Sequence, residues 1–406
     1  MIQTIIHRLL LRRHFWRYAT FSEVAELYAS RMMRIFALRL VSVFTSIYLL
    51  QLGFSVLFIA LFWAVFYLLK VLFSIPSAHQ IAAFGPKHAT FISNIISALA
   101  MFFLPFASDP HHHIMALIAW CTLQGYSGSL NDMAYLVDFS KVKSAKHAGK
   151  EIGYMNIIEK VATGLSPFIG GTLAFLFGPQ AVMVVSAVLF LLSAAPLFAT
   201  AEPTKIHGKL NFKGYPWRTT WRSSIAEAAV GVDVYLTSIV WAIFLALVVF
   251  GISSNKIYAQ IGIITSVTLI VALLVSYSFG RIIDHRKGGD LLRMGAILNS
   301  LIHFGRVFVT TPFTAVIMNV LNEVSTAGYN MPFLRGMFDT ADYSGKRIEY
   351  LLIAEIMLNF GGMIMALIMA LLVTLLGNLS GMNATFIVGG ILTLLIAVPG
   401  FALYKK

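Results

Sequence analysis

The stretch 347-RIEYLLIAEIMLNFGGMIMALIMALLVTLL-376 decides the fold class. Beyond Glu349 its only charged residue is Glu355. A soluble helix shows water a polar face, and this one is apolar nearly all round. A membrane span needs about 20 mostly apolar residues, because the hydrocarbon core is about 30 Å thick. The stretch meets that requirement. Similar stretches fill the chain, at 33–52, 56–76, 88–108, 113–136, 151–177, 179–199, 230–251, 256–280, 291–310, 313–335 and 382–404. The 406 residues are 58% hydrophobic and 12% charged, about half the usual charged share of about 25%. A soluble domain could not hide that much apolar surface. The sequence therefore predicts an all-α membrane protein with twelve transmembrane helices.

The entry to that stretch repeats. Gly345-Lys346-Arg347-Ile348 stands 196 residues after Gly149-Lys150-Glu151-Ile152, and Glu355 falls at the same offset from Glu159. Phe250-Gly251-Ile252-Ser253 follows Leu52-Gly53-Phe54-Ser55 by 198 residues, and Ile225-Ala226-Glu227 follows Val24-Ala25-Glu26 by 201. Matches at nearly one offset predict two pseudo-symmetric six-helix halves, 32–200 and 230–406, joined by a cytoplasmic central loop, 201–229. Residues 1–31, with Arg8, Arg12, Arg13 and Arg17, read as an amphipathic helix on the cytoplasmic surface. A basic tail is the plainer alternative, and no cleavable leader is evident.

The net charge of +13 is an orientation signal. Alternate connections hold Lys87; Lys141, Lys143, Lys146 and Lys150; Lys205, Lys209, Lys213, Arg218 and Arg222; Arg281, Arg286, Lys287 and Arg293; and Arg335, Lys346 and Arg347. The intervening ones hold Lys256 alone. By the positive-inside rule both termini are expected in the cytoplasm. No nucleic-acid partner is needed to explain the charge. Cys121, the single cysteine, permits no intrachain disulfide.

Several motifs then point to a family. Gly280-Arg281-Ile282-Ile283-Asp284-His285-Arg286-Lys287 follows the eighth span. A weaker copy ending in Gly85-Pro86-Lys87 follows the second, with Ala82 where an acid is usual. Leu117 to Gly125 ends in Gln124-Gly125 with Cys121 in place of an arginine, and Gly164-Leu165-Ser166-Pro167-Phe168-Ile169-Gly170-Gly171 bends the fifth span. The chain resembles the major facilitator superfamily, and its fifth-span motif is closest to the drug/proton antiporter branch. The resemblance implies alternating access between the halves, with Asp284, Arg335, Gly280 and Gly85 acting at the gate. Cys121 departs from the branch at the arginine tied to proton coupling. The plainer role of Gly164, Pro167, Gly170 and Gly171 is helix bending and close packing.

Charge inside a span is costly and marks function or a structural pair. Glu323, with Asn319 and Asn322 within about one turn, is placed near mid-membrane to carry a proton, hold a cationic solute, or bond a neighbouring helix. Glu355 shares a face with Asn359 at i, i+4. Glu159 is its repeat partner, beside Lys160, and either binds solute or proton or steadies the gate by pairing with a cation. Arg39 and Lys70 are buried cations suited to an anionic group or to Glu159 or Glu355, and Lys70 has snorkelling as its alternative. His303 and Arg306 are expected to snorkel to the outer headgroups. His111-His112-His113 reads as a solvated loop, not a metal site. Asn378 and Asn383 begin glycosylation sequons in an expected outer loop.

No nucleotide-binding, hydrolase or metalloprotease motif occurs, so no cofactor and no enzymatic activity are expected. The expected function is secondary transport of a small molecule, with protons as coupling ion and export of amphipathic or drug-like solutes as the lean. Uptake or movement of a lipid-like solute is the alternative within transport. A lipid enzyme or a sensor is the alternative outside it. The expected setting is the plasma membrane, as a monomer among lipids.

Overall fold

The protein is described here by a computed structural model covering residues 21–142, 148–198, 210–252, 256–283 and 288–404. Most of the predicted N-terminal surface helix and residues 201–209 lie outside these. Twelve helices follow in order: α1 (Phe21–Gln51), α2 (Val56–Phe84), α3 (Pro86–Phe103), α4 (His113–Val142), α5 (Ala148–Phe177), α6 (Pro179–Ala194), α7 (Trp217–Phe250), α8 (Ile257–Ile282), α9 (Gly288–Arg306), α10 (Pro312–Tyr343), α11 (Arg347–Leu376) and α12 (Asn378–Thr393). The protein is an integral, multi-pass, all-α membrane protein with two pseudo-symmetric six-helix halves.

Nine of the described helices are long and apolar enough to cross a membrane by composition. The other three are α4, α9 and α10. They carry Gln124, Asn131 and Asp132; Asn299, His303 and Arg306; and Asn319, Asn322, Glu323 and Arg335. Most of these polar side chains face the bundle interior.

The packing repeats as the sequence does. Helices α1, α3 and α4 pack with α5, α6 and α2 as α7, α9 and α10 pack with α11, α12 and α8. The halves meet along two seams, α2 with α11 and α5 with α8. Small residues let the backbones close in. A Cβ on Gly171 would lie 2.4 Å from the Tyr258 carbonyl oxygen, and one on Gly262 would lie 2.3 Å from that of Pro167. Ser266 donates to the Gly164 carbonyl across the same seam. Gly362 faces the Tyr67 ring on the other. At the end expected to face outward, Gln51 Nε2 donates to the Ile252 carbonyl at 3.2 Å, and the Tyr258 hydroxyl donates to Gln51 Oε1 at 2.6 Å. That end of the bundle is latched.

Two boundaries differ from expectation. α7 begins at Trp217, inside the stretch read as central loop. Trp217 and Trp221 are exposed beside Arg218 and Arg222, the composition of an interfacial belt. The hydropathy reading missed this amphipathic start. α12 begins at Asn378, so both sequons lie on a helix and the expected outer loop shrinks to Gly377. Gly85, expected at the gate, makes the α2–α3 turn at φ 89° and ψ 160°, a conformation nearly confined to glycine. Pro86 then opens α3 at the helix position where a missing N–H costs nothing.

Candidate functional site: a central cavity between the halves

A cavity of about 460 Å³ lies between the halves, within the range of roughly 300–1,000 Å³ usual for small-molecule sites. Helices α1, α2 and α4, with Met101 of α3, line one side; α7, α8, α10 and α11, with Arg306 of α9, line the other. On α7 four of the seven lining residues, Thr237, Ser238, Ile239 and Leu245, fall where the helix widens into π turns, Leu236–Val240 and Leu245–Phe250. Such π segments often mark functional sites.

Trp63, Phe66 and Trp120 wall the first side. The Phe66 and Trp120 rings stack with centroids 5.7 Å apart, and Trp63 meets Trp120 edge-on at 6.1 Å. The stretch of α4 that departs from the expected family pattern at Cys121 thus contributes an aromatic wall, with Cys121 buried at 2% exposure behind it.

Of the residues singled out for solute or proton, Arg39, Asn319, Asn322, Glu323 and Asn359 line this cavity. Glu355 lines a smaller one of about 200 Å³, which shares Asp132 and Leu358 with the first. Glu159 borders neither: it is bound by Arg31 at 2.6 Å. That is the cation pairing offered as its alternative.

The two other carboxylates are paired across the halves. Glu323 on α10 meets Lys160 of α5 at 2.6 Å. Glu355 on α11 meets Lys70 of α2 at 3.4 Å and accepts from Asn359 Nδ2 at 2.6 Å. Lys70 is also held within its own half by Asp132 at 2.9 Å. It points inward at 8% exposure, so its snorkelling alternative falls.

The expectation for His303 and Arg306 is overturned. They are 0% and 1% exposed and face the interior of the C-terminal half. His303 Nε2 lies 2.8 Å from Asp233 Oδ1, which also accepts from Asn299 Nδ2 at 2.8 Å; Tyr329 donates to the other oxygen of Asp233. Arg306 Nη1 lies 3.1 Å from His303 Nδ1, and its Nη2 donates to Asn322 Oδ1 at 2.9 Å. Its guanidinium lies 4.8 Å from the centroid of the Trp241 ring. Position along α9 gave the depth of these residues but not which way they face.

Further charges had not been singled out, among them Asp132, which lines both cavities. Arg34, at 3% exposure, donates to Asn94 Oδ1 at 2.6 Å and to Ser127 Oγ at 3.1 Å. Asp233 lies within a span, and the rule on intramembrane charge would have found it. Glu227, 5% exposed, lines the smaller cavity with Asp132 and Glu355.

The gate expectation joined Asp284 to Arg335. Asp284 lies outside the described residues. Arg335 Nε pairs with Asp339 on its own helix at 3.1 Å, and Gly280 is buried near the end of α8. In the histidine-rich loop, Asp109 Oδ2 lies 2.7 Å from His112 Nδ1. No group of three metal-binding side chains occurs among the described residues.

The sequence profile of the Major Facilitator Superfamily matches residues 27–346. The chain belongs to that superfamily, whose members move small molecules across membranes. Family and fold thus indicate a transporter rather than an enzyme. No curated protein matches the chain by sequence. Among solved structures it is similar to the human organic anion transporter MFSD10 (TETRAN), at 12% identity and a TM-score of 0.64, over 92% of this chain and 99% of that one. It is similar to the nucleoside transporter NupG, at 12% identity and 0.65, over 95% and 100%. It is also similar to the E. coli fucose:proton symporter FucP, at 12% identity and 0.64, over 93% and 98%. At this identity the likeness speaks for the fold alone.

Proposed function

We propose that the chain is a secondary transporter that carries an amphipathic small molecule by alternating access, coupled to protons through Glu323 and Glu355. The observation that carries this reading is the pairing of both carboxylates with lysines of the opposite half, Lys160 and Lys70. When the halves rock apart, each carboxylate loses its cation inside a low-dielectric bundle. A proton then replaces the lysine, because an unpaired buried charge is costly. Lys70 keeps Asp132 in its own half and so pays little for the separation. Proton uptake thereby becomes linked to the change of state.

Export is the direction favoured by the likeness of the fifth-span motif to the drug/proton antiporters. Gly164 and Gly171 of that motif lie at the α5–α8 seam, which must open and reseal in each cycle. Arg335 with Asp284 remains the proposed inner gate contact. The proposed setting is a plasma-membrane monomer with both termini in the cytoplasm.

The test is proton flux into proteoliposomes carrying the purified protein, with a pH dye inside and a panel of fluorescent amphiphiles outside. Solute-dependent proton movement is expected from wild type. Glu323→Gln should lose at least about tenfold of it, a typical scale for removing a positioned proton-transfer group, while keeping wild-type expression and folding. A wild-type rate in Glu323→Gln would remove that residue from the coupling.

A further inference from the structure

We propose that the central cavity is an organic-anion site: the acid group seats on Arg39, and a flat apolar or aromatic body lies against Trp63, Phe66 and Trp120. This rests on the transporter reading above and names its substrate class.

The charge pattern of the lining decides the class. Both carboxylates that line the cavity already have a lysine, Glu323 with Lys160 at 2.6 Å and Asp132 with Lys70 at 2.9 Å. The arginines do not share that arrangement. Arg34 is held by neutral groups, the Asn94 amide oxygen and the Ser127 hydroxyl. Arg306 binds His303 and Asn322 directly, and Asp233 reaches it only through His303. Arg39 makes neither a hydrogen bond nor an ion pair among the described residues, and it lines the cavity. A cationic solute would meet three arginines and no unengaged carboxylate. An anionic one would supply the missing counter-charge, and a guanidinium takes a carboxylate or sulfonate through two parallel hydrogen bonds.

A second observation is independent of charge. Six buried polar atoms on cavity-lining residues lack a hydrogen bond among the described residues: Ser42 Oγ, Trp120 Nε1, Gln124 Oε1, Arg306 Nε, Asn359 Oδ1 and Glu323 Oε1, the last of them ion-paired with Lys160. Trp120, Gln124, Arg306 and Asn359 are 3%, 3%, 1% and 0% exposed, and Ser42 and Glu323 are half-buried. Buried polar groups in native proteins are nearly always satisfied, so such a cluster around one cavity points to a ligand that completes it. Two of the atoms donate, three accept, and the Ser42 hydroxyl can do either. They would read polar substituents on the ligand's body and reject a plain hydrocarbon chain.

The experiment is calorimetric titration of the purified full-length protein with three size-matched probes: 2-naphthoate, 2-naphthylmethylammonium and 2-naphthalenemethanol. Naphthoate is expected to bind at least tenfold more tightly than either other probe. Arg39→Gln should lose at least tenfold of that affinity, and Arg39→Lys should recover part of it. Equal or tighter binding of the ammonium or the alcohol to wild type would overturn the proposal, and that comparison needs no variant to fold. So would wild-type naphthoate affinity in Arg39→Gln, or the absence of binding by all three. Naphthoate binding by a protein that moves no solute in liposomes would keep the anion site and remove the transport reading. Transport of the ammonium without naphthoate binding would do the reverse.

Discussion

The two halves of the molecule answer the same structural question with opposite charges. In the N-terminal half, Arg34 on the first helix reaches Asn94 on the third and Ser127 on the fourth. In the C-terminal half, Asp233 on the corresponding helix reaches Asn299 and His303 on the third and Tyr329 on the fourth. Both lie deep in the bundle, at 3% and 2% exposure. Duplication kept the place of a buried charge and the helices that receive it, and the sign was free to change. The surroundings changed with it. Arg34 is solvated by neutral groups that each bond a further neutral group, Ser127 the Ser93 carbonyl at 2.6 Å and Asn94 the Ser30 hydroxyl at 3.4 Å. Asp233 belongs to a chain of ionisable groups that runs through His303 to Arg306 and the cavity wall. The first cluster is a fixed charge in a polar socket. The second is a set of mutually dependent charges.

That difference predicts unequal consequences. Asp233→Asn should destabilise the protein by about 3–5 kcal/mol, because it leaves Arg306 and His303 buried without their carboxylate. Thermal unfolding in detergent measures this, and pairing the change with Arg306→Met should restore part of the loss. Arg34→Met removes a charge whose neighbours keep other bonds, so the smaller cost of about 1–3 kcal/mol for a lost buried hydrogen-bond partner applies. The reverse order of the two costs would break the comparison between the halves.

Much of the fold was legible because the bilayer imposes it. A long apolar stretch such as 347–376 has few other solutions, and the repeated Gly-Lys-x-Ile entries at 149–152 and 345–348 announced the duplication. Within the site, legibility followed helical geometry. Glu355 and Asn359 are four residues apart and do bond. The cavity positions of Asn319, Asn322 and Glu323 followed from one polar turn of α10. The limit was rotation about the helix axis. His303 and Arg306 near the end of α9 suit either the headgroups or the bundle interior by depth alone, and only tertiary packing shows that they face Asp233. Partner choice was likewise out of reach: Lys70 had two candidate carboxylates in the sequence reading, and the α2–α11 seam gives it Glu355.

The most direct test of alternating access is the distance between the outer ends of the two halves. Spin labels at His111→Cys and Phe308→Cys, in a Cys121→Ala background, would report it by pulsed electron resonance in liposomes. Two distance populations are expected, the shorter matching the state latched by Gln51, Ile252 and Tyr258. Gly171→Val should enrich the longer one, since its side chain has no room beside the Tyr258 carbonyl. A single distance that ignores pH, naphthoate and Gly171→Val alike would contradict a transporter that rocks about this cavity.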